Sequence, residues 1–464
     1  MKTIPTFVLF LFFQFTFAQS LVLDDTFDIA VSQNSDFRDF VILPDGKLLV
    51  CGYMMSGNRM LRFNANGSID STFTGSSANS SIIKIVVDPQ GRIYVMGTFT
   101  QYNGFNRNYL VRLNSSGSLD TTFNPSLSER LTNEVSDVNF LSDGRIVVVG
   151  DFSCAVPPQN PNGFVILSDT GVLDNSVTYP YIFSSVPGGV DKVFIDTHNN
   201  MYVYSFAGGF KKFTSNLVPV ELAYNSLQSE SVIKCGFFKN DSALVIGGMI
   251  GNESLPSRFS YLANININDF SFTDGFVNAA VPYNSQGSYS SRSTIFESLF
   301  EHQGYIYGAG NVPEYESTTA YNIVRLNQQG YLDTSFDVSR VFQFYDSANS
   351  IRKFEPYNSE YFIVSGDFSS VNGTPTKRLV RVKLNNLSTE KISKFDIKFV
   401  NNILYANDNI KSIELFDVCG RKVFSNNAVY DNNIDLNLTP KGVYVINLVF
   451  ENSRLVNSKR ILIR

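Results

Sequence analysis

The chain has no tryptophan, two histidines and four cysteines in 464 residues. Each scarcity removes a chemistry. His198 and His302 stand alone in turn-like segments, far from any metal-ligand spacing, and read as exposed turn residues. Cys51, Cys154, Cys235 and Cys419 are widely scattered, so neither a zinc knuckle nor a dense disulfide framework is encoded. Cys51 and Cys235 sit in apolar runs and read as small buried hydrophobes. Charge is sparse, at 17% of residues with a formal net of -5, and no basic excess points to nucleic acid. No amphipathic helical stretch of useful length occurs. The one long hydrophobic run is Phe7 to Phe17, behind Lys2 and ahead of Thr16-Phe17-Ala18. Its length suits a signal-peptide core and is too short to span a bilayer comfortably. Residues 1–18 are therefore expected to be a signal peptide cut after Ala18, leaving no transmembrane segment in the mature chain. No cysteine lies near that point to carry a lipid.

What the chain has instead is repetition. One phrase reads Gly67-Ser-Ile-Asp-Ser-Thr-Phe73, Gly117-Ser-Leu-Asp-Thr-Thr-Phe123 and Gly330-Tyr-Leu-Asp-Thr-Ser-Phe336, with weaker copies at Leu23 to Phe27 and Gly171 to Val177. A second travels with it: Pro44-Asp-Gly-Lys-Leu-Leu-Val-Cys-Gly52, Pro89 to Gly97 and Ser142 to Gly150. Turn markers Gly46, Gly91, Gly144, Asn200, Ser242, Gly304 and Glu360 recur at intervals of 42 to 62 residues. Six places after each comes Gly52, Gly97, Gly150, Phe206, Gly248, Gly310 or Gly366. Repetition at this period means stacked supersecondary units. Phe (41) and Tyr (23) favour strands. Each unit reads as an alternating strand, an Asp-Gly hairpin turn, an almost wholly apolar strand, a variable loop, a third strand such as Leu110-Val-Arg-Leu113, and a fourth carrying Leu-Asp-x-Thr-Phe.

The expected fold is all-β: a seven-bladed β-propeller over residues 19–388, then a small antiparallel, Ig-like β-sandwich over 391–464. The last unit ends without its own Leu-Asp phrase, and the mature chain begins with an orphan copy at Leu23 to Phe27. That copy is expected to pair beside Leu379 to Val382 and close the ring; an open solenoid is the alternative.

The phrase resembles the delta-60 repeat family of propeller-like repeats, over Leu21 to about Ser388, weakly in the fourth, fifth and seventh units. That resemblance implies a fold and no activity. Residues 391–464 carry a net charge of +4 against -9 for residues 1–390. Phe416-Asp-x-x-Gly420, Lys441-Gly-Val-Tyr444 and the terminus with Lys459 and Arg460 resemble the type A sorting domain of the type IX secretion system of Bacteroidetes. Phe399-Val-Asn-Asn402 departs from that family, which opens on a Tyr-Pro-Asn-Pro segment. The resemblance implies sorting residues Lys441, Gly442, Val443, Tyr444, Lys459 and Arg460, the type IX machinery as partner, and export through the periplasm to the cell surface or medium.

No catalytic motif stands out, and no cofactor or metal site is expected. Asp70, Asp120, Asp174 and Asp333 occupy one slot in several units, as a structural residue would and a catalytic acid would not. Arg62, Arg112, Arg325 and Arg381 share another slot and are expected to pair with acids between blades. The favoured function is a secreted binding module for an unknown protein or glycan. The alternative is a secreted enzyme acting on polysaccharide or glycoprotein, with acids such as Glu314 and Asp346. Loops two and four of each unit fall on one face and carry candidate ligand aromatics: Tyr102, Phe105, Tyr283, Tyr289, Tyr315 and Tyr345.

Overall fold

The protein was analysed as a computed structural model. It describes residues 19–463 except 34, 55–58, 75–76, 126–133, 154–160, 180–188, 207–208, 221–230, 252–258, 277–294, 317, 340, 345–349, 387–397, 401–402, 418–420, 427–430, 437–438 and 451–455. The candidate aromatics Tyr283, Tyr289 and Tyr345, the acid Asp346, and Cys154 and Cys419 lie outside the described residues. Described secondary structure is strand, bridge and turn, without helix. The chain divides into two compact units, Ser20–Asn385 and one built on Asn386–Arg464.

Of the ten antiparallel sheets described in the first unit, seven are built on an inner strand and follow one another. Their inner strands are Asp36–Ile42, Ile82–Val87, Val135–Phe140, Lys192–Ile195, Val232–Asn240, Ile295–His302 and Ile351–Pro356. Each lies against the next, and Ile351–Pro356 lies against Asp36–Ile42, so the succession returns on itself. The second strands, such as Ile93–Gly97 and Met201–Ser205, are buried throughout because neighbouring sheets cover both faces. The core sits between sheets, as where Leu49 and Cys51 of the first sheet pack on Ile85, Ile93 and Val95 of the second.

The recurrent glycine six places after the turn has one cause. In six sheets the inner strand carries a bulge: the register slips between Phe37 and Asp39, Ile82 and Lys84, Val135 and Asp137, Ile233 and Cys235, Phe296 and Ser298, and Ile351 and Lys353. The bulge turns a carbonyl onto the facing residue. A Cβ on Gly97 would stand 2.1 Å from the Ser81 oxygen, and one on Gly310 2.0 Å from that of Ile295. The fourth sheet, which has Phe206 at this slot, pairs from Lys192 to Ile195 without a slip.

The Leu-Asp-x-Thr-Phe phrase departs from expectation. It is not a fourth strand but a single bridge followed by a turn: Phe63 with Ile69, Leu113 with Leu119, Leu326 with Leu332. The aspartate ends the strand. Asp70 accepts both the Thr72 amide (3.0 Å) and its hydroxyl (2.6 Å), folding the chain back at once. Among the described residues an outer strand pairs on the fourth sheet, the two-residue Pro219–Val220, and on the seventh, where Gln19–Leu23 lies beside Leu379–Asn386. Asp24 then repeats the turn, accepting the Thr26 amide and hydroxyl.

In the second unit Lys398–Val400, Ile403–Asp417, Gly442–Phe450 and Val456–Ile463 pair in that order. Lys422–Asn426 and Asp431–Asp435 pair on different stretches of Ile403–Asp417. Lys441 is exposed, Gly442 half-buried, and Tyr444 buried with its hydroxyl donating to the Pro440 carbonyl (2.8 Å). Val443 pairs with Leu462, Ile446 with Lys459 and Val445 with Arg460.

Candidate functional site: the channel and the loop face

The inner strands surround a central cavity of about 920 Å3. One slot on each strand, just past the bulge in the six strands that have one, lines it: Asp39, Lys84, Asp137, Lys192, Cys235, Ser298 and Lys353. These side chains stitch sheets together. Lys84 bonds Asp137 of the third sheet, and Lys192 of the fourth approaches the same carboxylate at 3.9 Å. Cys235 reaches the Phe296 carbonyl (3.6 Å) and Ser298 that of Phe354 (2.6 Å). Lys353 closes the circle on Asp39 (2.8 Å) and the Phe40 carbonyl (2.6 Å), while Asp39 accepts the Ile85 amide (2.9 Å). Burial pushes the Asp137 carboxyl up, but Lys84 and Lys192 outweigh it and hold it below the ordinary carboxylate range. Burial pushes Lys353 down, and Asp39 and Glu355 reverse this to leave it raised.

Sequence reasoning missed this belt because its residue types differ from unit to unit. A positional signal exists: the slot lies seven places before the turn marker in five of the seven units.

The arginine slot also differs from expectation. Arg62 pairs with Asp70 (2.7 Å), Arg112 with Asp120 (2.8 Å) and Arg325 with Asp333 (2.8 Å), each within its own unit. Eight residues separate the partners, and the turn brings them together on adjacent strands. Contact with the next unit runs through a carbonyl, Arg62 to Ser115 (2.5 Å), Arg112 to Asp169 and Arg381 to Ala65 (2.7 Å), and Arg112 alone of these also pairs with an acid there, the Asp169 carboxylate (3.5 Å). Each of these guanidiniums also lies over the phenylalanine of the phrase, Phe73, Phe123, Phe336 or Phe27. In the third unit, where Ile166 stands in the slot, Arg145 reaches Asp174 (3.1 Å) from the turn. The repeated aspartates are thus structural ties. His198 is exposed, while His302 is half-buried, ending an inner strand with its ring edge on Phe362. No metal-binding cluster occurs among the described residues.

Loops two and four meet on one face. Gln101–Tyr102 and Phe105–Asn106 form a small hairpin in a second loop, and Tyr102 bridges to Ala78 of a fourth loop. Phe342–Phe344 of a fourth loop pairs with Phe368–Val371 of a second. The candidate aromatics separate here. Phe105, at a hairpin tip, is 48% exposed. Tyr102 and Tyr315 are corrections: both are fully buried. Tyr102 packs on Phe99, and the Tyr315 hydroxyl donates to the Gly330 carbonyl (2.8 Å). Alternation in a two-residue hairpin strand turns these rings inward to seat the loop on the sheet. The exposed rings of the second loops are instead Tyr53, Phe206 and Tyr321 beside Phe105. Glu314 is half-buried, paired across its hairpin with Thr319.

Comparison with known families agrees with both parts of the chain. Residues 43–73, 89–123 and 304–336 match a β-propeller domain of unknown function, and residues 375–464 match the secretion system C-terminal sorting domain. The chain is a β-propeller protein with a type IX secretion sorting domain, and that domain directs it to the cell surface. A comparison with curated proteins finds no match. Among solved structures, PorZ, a surface component of the type IX secretion system of Porphyromonas gingivalis, is 11% identical over 92% of this chain and 59% of its own, with a TM-score of 0.43. The extracellular domain of a putative hybrid two component system from B. thetaiotaomicron is 11% identical over 96% of this chain and 59% of its own (TM-score 0.47). YCF48 from Cyanidioschyzon merolae is 14% identical over 79% and 98% (TM-score 0.41). The chain thus spans about three fifths of the length of the first two. No helix among the described residues is long and apolar enough to cross a membrane, which leaves β-barrel spans unaddressed.

Proposed function

We propose that the mature chain is a seven-bladed propeller that works as a binding module at the cell surface, for a protein or glycan, and not as an enzyme. The observation that carries this reading is the distribution of exposed rings over the second loops. Tyr53, Phe105, Phe206 and Tyr321 each leave about half their surface in water on a scaffold that buries most other aromatics. A rigid ring of sheets holding exposed rings on variable loops suits stacking on sugars or packing on protein. The repeated acids are consumed by arginines, so they favour no hydrolytic role.

The test is retention of the purified mature chain on glycan and surface-protein arrays. Replacing Tyr53, Phe105 and Tyr321 with Ala together should weaken retention at least tenfold while thermal unfolding stays within a few degrees. Ile69, Val172 and Tyr331 are exposed at the turns of the opposite face. If changing those to Ser abolishes retention and the loop-face variant does not, the working face is the other one.

A further inference from the structure

The charges lining the central cavity are not used evenly. On the seventh and first sheets they neutralise one another. Arg352 bonds Asp36 and reaches Asp367 (2.8 Å), Arg38 approaches Asp36 (3.3 Å), and Lys353 holds both Asp39 (2.8 Å) and Glu355 (3.1 Å). The succession of seven sheets places the third and fourth across the cavity from these. There, among the described residues, Glu134 and Asp191 have no ion-pair partner. Asp191 accepts the Phe206 amide (2.9 Å), the Val190 amide donates to the Gly150 carbonyl (2.9 Å), and the Asp151 amide donates to the Glu134 carbonyl (3.0 Å), so Glu134, Asp151 and Asp191 are carried on neighbouring backbone. Burial raises the Asp191 carboxyl despite the fields of Lys234 and Lys192. Asp191 is thus partly removed from water, with Lys234 and Lys192 in range but no ion pair among the described residues to hold it.

A second observation is independent of charge. Phe206 occupies the slot that is glycine in the six other units. Its ring lines the cavity and is 47% exposed. A phenyl ring left open in a polar channel gains nothing for the fold. Beside a carboxylate it completes the two things an organic cation needs: an anionic partner and a π face. A cavity of about 920 Å3 is also in the range that holds small ligands or an inserted side chain.

We propose that the channel wall at the third and fourth sheets binds an organic cation, an alkylammonium or guanidinium group, between the carboxylates of Glu134 and Asp191 and the ring of Phe206. This rests on the reading of the propeller as a binding module and gives it a ligand chemistry.

Calorimetry at low salt on the full mature chain tests it, with spermidine, trilysine amide and side-chain-acetylated trilysine amide as probes. Spermidine or trilysine should bind and the acetylated peptide should not. Preference for trilysine assigns the cation to a peptide; preference for spermidine assigns it to a free polyamine. Glu134→Gln with Asp191→Asn should weaken binding at least tenfold, and Phe206→Ala should weaken it severalfold at unchanged net charge. Asp25→Asn with Asp45→Asn, which removes two exposed carboxylates elsewhere, should leave it unchanged. Absence of binding by either cation overturns the proposal. So does equal weakening by both acid pairs, or binding indifferent to Phe206→Ala, which is informative even if the double acid variant fails to fold. Retention on surface arrays that persists without cation binding removes this inference and leaves the binding-module reading standing. Cation binding without any array retention does the reverse.

Discussion

Gly97 and Gly104 are both glycines of one repeat unit, yet they are there for different reasons. A methyl group on Gly97 would run into the Ser81 carbonyl, whereas Gly104 has positive φ and nothing within 4 Å. Gly97→Ala must push the inner strand outward and should cost about 1–3 kcal/mol, as overpacking does. Gly104→Ala meets only the left-handed backbone penalty, about 1 kcal/mol. Denaturant unfolding of both variants checks the order; equal costs would count against the bulge as the reason. The phrase aspartates give a pH dependence. Burial raises Asp24, Asp120 and Asp333, but bonds from Thr26, Thr122 and Ser335 and from the arginines leave all three lowered. A carboxyl depressed in the folded state stabilises above its unfolded value of about 3.9 and loses that contribution as pH falls through the folded one. Thermal stability should therefore drop steeply below about pH 4, and Asp120→Asn should lower stability at neutral pH while making the acid drop shallower. The glycines and aspartates were legible because one residue type recurs at each slot. Asp39, Lys84 and Ser298 were not, because a tie to the next sheet can be made by an acid, a base or a hydroxyl.

The outer strand Gln19–Leu23 has an effect out of proportion to its five residues. Leu21 and Phe27 are buried, Phe27 among Phe37, Phe40, Ile363 and Leu379, so it bridges the last sheet and the first. Arg381 pairs with Asp24 (2.6 Å), and Lys377 with Asp28 (2.6 Å). Deleting residues 21–27 removes two large apolar side chains, about 3–6 kcal/mol, and leaves an open strand edge. Thermal unfolding should fall by far more than after trimming Gln19 and Ser20 alone, and the truncated chain should aggregate on light scattering. Unchanged unfolding would mean the strand is not what closes the ring. The orphan phrase marked this closure in the sequence. Its true extent did not show, because Gln19 to Val22, ahead of the phrase, carries none of the repeated residues. The aromatic expectation failed for a related reason. Tyr102 and Tyr315 stand in loops rich in polar residues, and only the hairpin pairing decides that their rings face inward while Phe105 faces out.

Taken as one molecule, the chain joins a body of net -9 to a sorting module of net +4. Deleting Lys441 to Arg464 removes Gly442–Phe450 and Val456–Ile463, two of the strands that pair in that module. The truncated protein should accumulate in the periplasm of its native host, with the propeller folded, as fractionation and protease resistance would show. Appearance of that variant at the surface in normal amounts would mean that export reads another part of the chain.

The tie from Arg381 to Ala65 has the same form as those from Arg62 to Ser115 and Arg112 to Asp169. Where the polypeptide starts is thus invisible to these contacts. A gene re-spliced to begin inside another copy of the phrase, with the old ends joined, would encode the same circle of interactions. Likewise, gain or loss of one whole repeat would demand no new chemistry at any joint, only a change in curvature. Such a design lets duplication alter the width of the central opening while every seam keeps its specification.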